Sequence, residues 1–78
     1  MPQEQRMNEL NEGESAAVLR LLIHGSMRRR LLDIGLVEGT RVMCVGKSPS
    51  GDPSAYLIRG AVIAIRAEDC RDILIEKE

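Results

Sequence analysis

Few residues in this chain have the type and spacing to do chemistry. His24 is the only histidine, and a lone histidine beside a glycine turn is ordinarily a loop residue rather than a base or a metal ligand. No Cys-x-x-Cys, His-x-x-x-His or Glu-x-x-His spacing occurs, so no local metal motif is present. Glu68-Asp69-Cys70 groups three potential ligands, but on a single turn they read better as a solvated end than as a coordination sphere. Gly46-Lys47-Ser48 matches only the last letters of a phosphate-binding loop. The upstream glycine is missing, and a proline loop rather than a helix follows. Catalysis needs titratable groups that converge in a pocket. The pattern offers none, and the expectation is a protein that is not an enzyme.

The sharpest polar feature is Arg28-Arg29-Arg30. On a helix, successive residues turn by about 100°, so three consecutive arginines fan around the surface and form no single stripe. Arg30 follows Met27 by one turn and can lay its stem along the apolar side. Arg29 and Asp33 stand at i, i+4 in the less favourable order, and Asp33 in the last turn opposes the helix dipole. A carboxylate placed there hints at a partner that holds it. The arginines can be solvated charges with one anchored stem, a docking surface for an acidic partner, or contacts to a nucleic-acid backbone. With a net charge of -1 and a pI near 5.8, one basic helix binds nucleic acid weakly, and no nucleic-acid partner is expected.

These residues are positioned by one short helix and the strands around it. Ser26 reads as an N-cap. Met27, Leu31 and Ile34 share a face. Gly35 sits where a left-handed residue ends a helix, with Leu36 placed to fold back onto Leu31. Before the helix, Ser15 to Ile23 reads as a strand bounded by Gly13 and by His24-Gly25. After it come strands at Arg41 to Lys47, Ser54 to Ile58, Val62 to Arg66 and Ile73 to Ile75, with one helical turn at Ala67 to Cys70. Pro49, Gly51 and Pro53 forbid a ladder in the loop between the second and third strands. The expected core is Val18, Leu31, Val42, Ile63, Ile65, Ile73 and Ile75.

With 78 residues the chain forms one domain with a thin core. The pattern divides it into a polar, mobile segment at 1–8, a domain at 9–76 and a charged tail at 77–78. About five short antiparallel strands with one helix inserted after the first make a mainly β fold, a small and partly open barrel. Tyr56 is the only aromatic residue. That excludes a proline-peptide groove and a base-stacking surface, both of which need rows of aromatics. No segment is long and apolar enough to span a bilayer. No signal-peptide pattern opens the chain, so Cys44 and Cys70 are expected to be reduced thiols in the cytoplasm. An edge strand leaves room for a homodimer.

The run Arg30-Leu31-Leu32-Asp33-Ile34-Gly35-Leu36-x-x-Gly39-Thr40-x-Val42 resembles the signature of the FeoA family, ferrous iron transport protein A. Ser48-Pro49-x-Gly51-Asp52-Pro53, Arg59-Gly60-x-x-Ile63-Ala64-Ile65-Arg66 and the leading Leu10-x-x-Gly13 match the same family in the same order. The resemblance extends over about residues 8 to 76. It also reaches the C-terminal domain of iron-dependent repressors of the diphtheria-toxin-repressor type. It implies an SH3-like β-barrel with a helix between its first two strands. It further implies a cytosolic accessory that binds FeoB, the membrane Fe(II) transporter, and supports iron uptake. The alternative it implies is a transition-metal-sensing module like the repressor domain. No ligand set for a metal such as Fe2+ is visible, so metal binding is an expectation of the family alone and no cofactor is assigned. The expected docking surface is the helix and its following turn: Arg28, Arg29, Leu32, Asp33, Leu36 and Glu38.

Overall fold

The computed structural model describes residues 4–78. Six strands form one antiparallel sheet: β1 (Glu4–Arg6), β2 (Ser15–Leu21), β3 (Arg41–Lys47), β4 (Ser54–Ile58), β5 (Ala61–Ile65) and β6 (Ile73–Lys77). Their order is β1-β6-β2-β3-β4-β5. The barrel is therefore open, with β1 and β5 as its two edges. Helix α1 (Gly25–Asp33) follows β2, and the single turn α2 (Ala67–Cys70) precedes β6.

Alternation explains why one face of this sheet closes on a core. Val42 and Cys44 of β3, Tyr56 and Ile58 of β4, and Ile73 and Ile75 of β6 are all buried, while their sequence neighbours are half-buried or exposed. Leu31 of α1 covers this core, with Met27 and Ile34 packed at its margin. Of the expected core, every residue is buried except Ile63, which is half-buried on the edge strand β5.

The first strand differs from expectation. Glu4–Arg6 pairs with β6, Gln5 opposite Ile75, where the sequence reads as a mobile segment; residues 1–3 of that segment lie outside the described residues. Met7 follows in a 3-10 turn and is fully buried. Its carbonyl accepts the Tyr56 hydroxyl at 3.5 Å, and the Arg6 Nη1 donates to the Arg71 carbonyl at 2.6 Å. These partners are remote in sequence, so no local pattern announces them. At the other end Lys77 belongs to β6 and pairs with Ala16, so the final strand runs beyond Ile75.

Helix α1 begins two residues earlier than expected. His24 occupies the capping position and no side chain caps the helix, so Ser26 does not serve as the N-cap. Its C-terminus follows the sequence closely. Gly35 has φ +93. The Leu36 N–H donates to the Leu31 carbonyl at 2.9 Å and the Gly35 N–H to the Leu32 carbonyl at 3.0 Å. That is the paired hydrogen-bond pattern of a Schellman cap.

Candidate functional site

The surface of interest is built by this cap. Once Gly35 reverses the chain, Leu36 turns inward and is fully buried beside Leu31 in the core. Val37 must then point outward, and it is 44% exposed. Thr40 clamps the turn. Its hydroxyl donates to the Gly35 carbonyl at 2.9 Å and accepts the Val37 N–H at 3.1 Å. Arg59 packs over the same corner from the other side. Its side chain lies across Gly35 so closely that a Cβ at that position would collide with it. Gly35, Thr40 and Arg59 thus meet at the end of α1.

Around this corner lie two adjoining shallow grooves. One, of about 320 Å³, is lined by Leu21, Arg28, Leu32, Val37 and Glu38. The next, of about 450 Å³, is lined by Gly25, Arg28, Arg29, Leu32 and Asp33. The structure thus brings five of the six sequence-selected residues onto one continuous surface: Arg28, Arg29, Leu32, Asp33 and Glu38. Leu36 is corrected. It is core, because the cap that exposes Val37 requires its inward turn.

Arg28 is partly committed to the fold. Its Nη1 donates to the Leu21 carbonyl at 3.1 Å and ties α1 to the end of β2. Arg29 and Asp33 are exposed, and among the described residues neither has an ion-pair partner. Leu32 is 39% exposed. Leu21 and Val37 were not selected by sequence reasoning. The alternation around the Gly35 cap carries the signal for Val37, since a residue after an inward Leu36 faces out. Leu21 depends on how the strand end meets the helix, which no local pattern records. The site is therefore an apolar strip, Leu21-Leu32-Val37, bordered by two arginines and two carboxylates. Such a strip buries apolar area against a partner, and its charged rim orients the encounter.

Among the described residues, reactive groups elsewhere do not converge. The Cys70 thiol is fully buried, and burial pushes its pKa up to about 11. Burial likewise raises that of Tyr56, followed by its contact with Cys70. Both groups are therefore protonated at neutral pH. Cys44 is buried too, and both thiols are free. Among the described residues no group of three His, Cys, Asp or Glu side chains is placed to hold a metal ion, and no helix is long and apolar enough to cross a membrane.

The antiparallel sheet wrapped on a small core, with one helix between strands, defines the class: an SH3-like domain. A solved relative by structure, the FeoA of Stenotrophomonas maltophilia complexed with zinc, is described as a procaryotic SH3 domain protein. It superposes with a TM-score of 0.80 at 27% identity, over 91% of this chain and 88% of that one. The solution structure of the FeoA protein from Chlorobium tepidum gives a TM-score of 0.89 at 29% identity, over 94% of this chain and 70% of that one. The model of the FeoA domain matches residues 5–77. The chain belongs to the FeoA family. A Fe(2+) transport protein A/Fe(2+) transporter FeoB fusion protein of Porphyromonas gingivalis (strain ATCC BAA-308 / W83) is 34% identical over 71 residues. That stretch is 91% of this chain and 8% of the fusion protein.

Proposed function

We propose that this chain is a cytoplasmic, non-enzymatic accessory in ferrous iron uptake that docks through α1 and the Gly35–Thr40 turn onto the cytosolic part of FeoB. The observation that carries this reading is the strip of exposed Leu32 and Val37 beside half-buried Leu21, with its charged rim, held at the Gly35 cap by the Thr40 hydroxyl. The fusion of a homologous segment to FeoB in one polypeptide supports the choice of partner, since fusion replaces docking by a covalent link and raises effective concentration. Iron is the transporter's cargo in this reading and needs no ligands on this chain. The alternative, a metal-sensing module, rests on the family resemblance; among the described residues no group of three His, Cys, Asp or Glu side chains comes together.

The test is binding of the purified chain to the FeoB cytosolic domain by calorimetry. Leu32→Asp and Arg29→Glu are expected to weaken binding at least about tenfold, or 1.4 kcal/mol, while both proteins melt within a few degrees of the parent. Arg28→Glu is a less informative change because it also breaks the tie to Leu21. Unchanged affinity in both informative variants would remove this surface from the interaction.

A further inference from the structure

The two edges of the sheet are unlike. β1 is three residues long and carries Glu4 and Arg6, the charged, short edge that discourages pairing. β5 reads Ala61-Val62-Ile63-Ala64-Ile65, five residues with no charge, proline or glycine. Its outer side chains continue an apolar row: Met43 pairs with Leu57, and Leu57 with Val62, across β3, β4 and β5. Leu57 is 37% exposed and Val62 64%, on a sheet face that is ordinarily polar where it meets water.

The register decides which backbone groups of β5 are free. Arg59 and Gly60 both have positive φ, +48 and +85, the two-residue turn that closes on a hydrogen-bonded pair, here Ile58 and Ala61. Alternation then assigns the β4 ladder bonds to Ala61, Ile63 and Ile65. The N–H and C=O of Val62 and Ala64 point away from β4 to an edge that has no neighbouring strand among the described residues.

We propose that β5 is a self-pairing edge, and that a second copy of this chain extends the sheet antiparallel about a two-fold axis at Ile63. In that register Val62 faces Ala64 of the second copy, and Ala64 faces its Val62. Each residue offers the one donor and one acceptor that the other lacks, so four ladder bonds form. The two Ile63 side chains meet on the inner side, beside a cavity of about 110 Å³ that Met27, Arg30 and Leu31 of α1 and Ile34 just beyond it line on the other side. Arg66 falls opposite Gly60 and Arg59 opposite Ala67, so no like charges face each other directly. An unpaired strand with this symmetric register and no charge matches its own copy better than a charged partner. The inference stands apart from docking on FeoB, which uses the opposite flank of α1.

Sedimentation equilibrium of the full chain, from about 10 μM to about 1 mM, is expected to show the mass rise from 8.6 kDa towards twice that value. Hydrogen exchange is expected to slow at the Val62 and Ala64 amides as concentration rises. Ala64→Pro removes an outward N–H without touching the β4 ladder, and Val62→Lys places a charge on each side of the axis. Each variant is expected to weaken dimerisation at least tenfold while keeping a cooperative melt. Val62 is exposed enough that its variant tests the edge even should the proline variant fail to fold. A mass of 8.6 kDa throughout, including a chain that captures an extended segment of another protein while remaining monomeric alone, overturns the proposal. A dimer indifferent to Val62→Lys does the same.

Discussion

Thr40→Val isolates the device that shapes the docking corner. Valine keeps the shape of the side chain and deletes the hydroxyl that joins the Gly35 carbonyl to the Val37 N–H. Each such bond contributes about 0.5–1.5 kcal/mol net, so losing both costs about 1–3 kcal/mol. Val37 is 44% exposed, so water can reach its N–H and offset part of the loss. We therefore expect about 1.5 kcal/mol. A domain of this size loses about 4–8 °C per kcal/mol, which places the melting temperature about 6–12 °C below the parent. Against a total stability of roughly 3–5 kcal/mol for so small a core, that is a large fraction. Thr40→Ser keeps the hydroxyl and loses one methyl group, worth about 0.8 kcal/mol, and is expected to melt closer to the parent. Calorimetric melts of the three proteins, with exchange rates at the Val37 amide, provide the assay. Equal stability of Thr40→Val and the parent, or a serine variant as weak as the valine variant, would refute the claim that these two bonds hold the corner.

Leu36→Ala is expected to cost about 2–5 kcal/mol, the range for a buried leucine, and so to unfold much of the population in urea titrations. A variant that stays stable and loses only FeoB binding would return Leu36 to the surface. Alkaline pH supplies a further test through Cys70. Its folded-state pKa is raised from 9.0 to about 11, so the unfolded chain releases this proton first. Stability is then fully present below pH 9 and is lost as pH rises towards 11, by about 3 kcal/mol in all at 1.36 kcal/mol per unit. The raised pKa of Tyr56 adds to the loss above pH 10. Urea midpoints in reductant at pH 8, 9 and 10 should fall for the parent and stay nearly flat for Cys70→Ala; parallel profiles would sink the assignment.

Some of this architecture was legible residue by residue. The Gly35 cap follows from a glycine after an apolar helical face, because a left-handed terminus is a local demand of the backbone. The strands at Arg41–Lys47 and Ser54–Ile58 match their expected bounds because alternation and the proline loop delimit them. Asp52 in that loop accepts the Ala67 N–H at 2.9 Å, which gives a physical reason for the acid in the Gly-Asp-Pro motif, yet its target lies 15 residues away and no spacing rule identifies it. The docking surface was legible only in part. The helix residues follow from their periodicity; Leu36 folds back onto Leu31 as the cap pattern predicts, and that same inward turn takes it off the docking surface where it was also expected.

The chain's own order of residues determined which segments pair or coil, and the family. Those depend on φ preferences, alternation and hydrogen bonds within a few residues. Tertiary structure alone decided that Glu4–Arg6 completes the sheet, that Met7 is core, that Leu21 and Val37 join Leu32 at one surface, and that β1 and β5 form the two edges. These outcomes come from contacts between residues distant along the chain, and their free energy is realised only once the sheet has closed on its core.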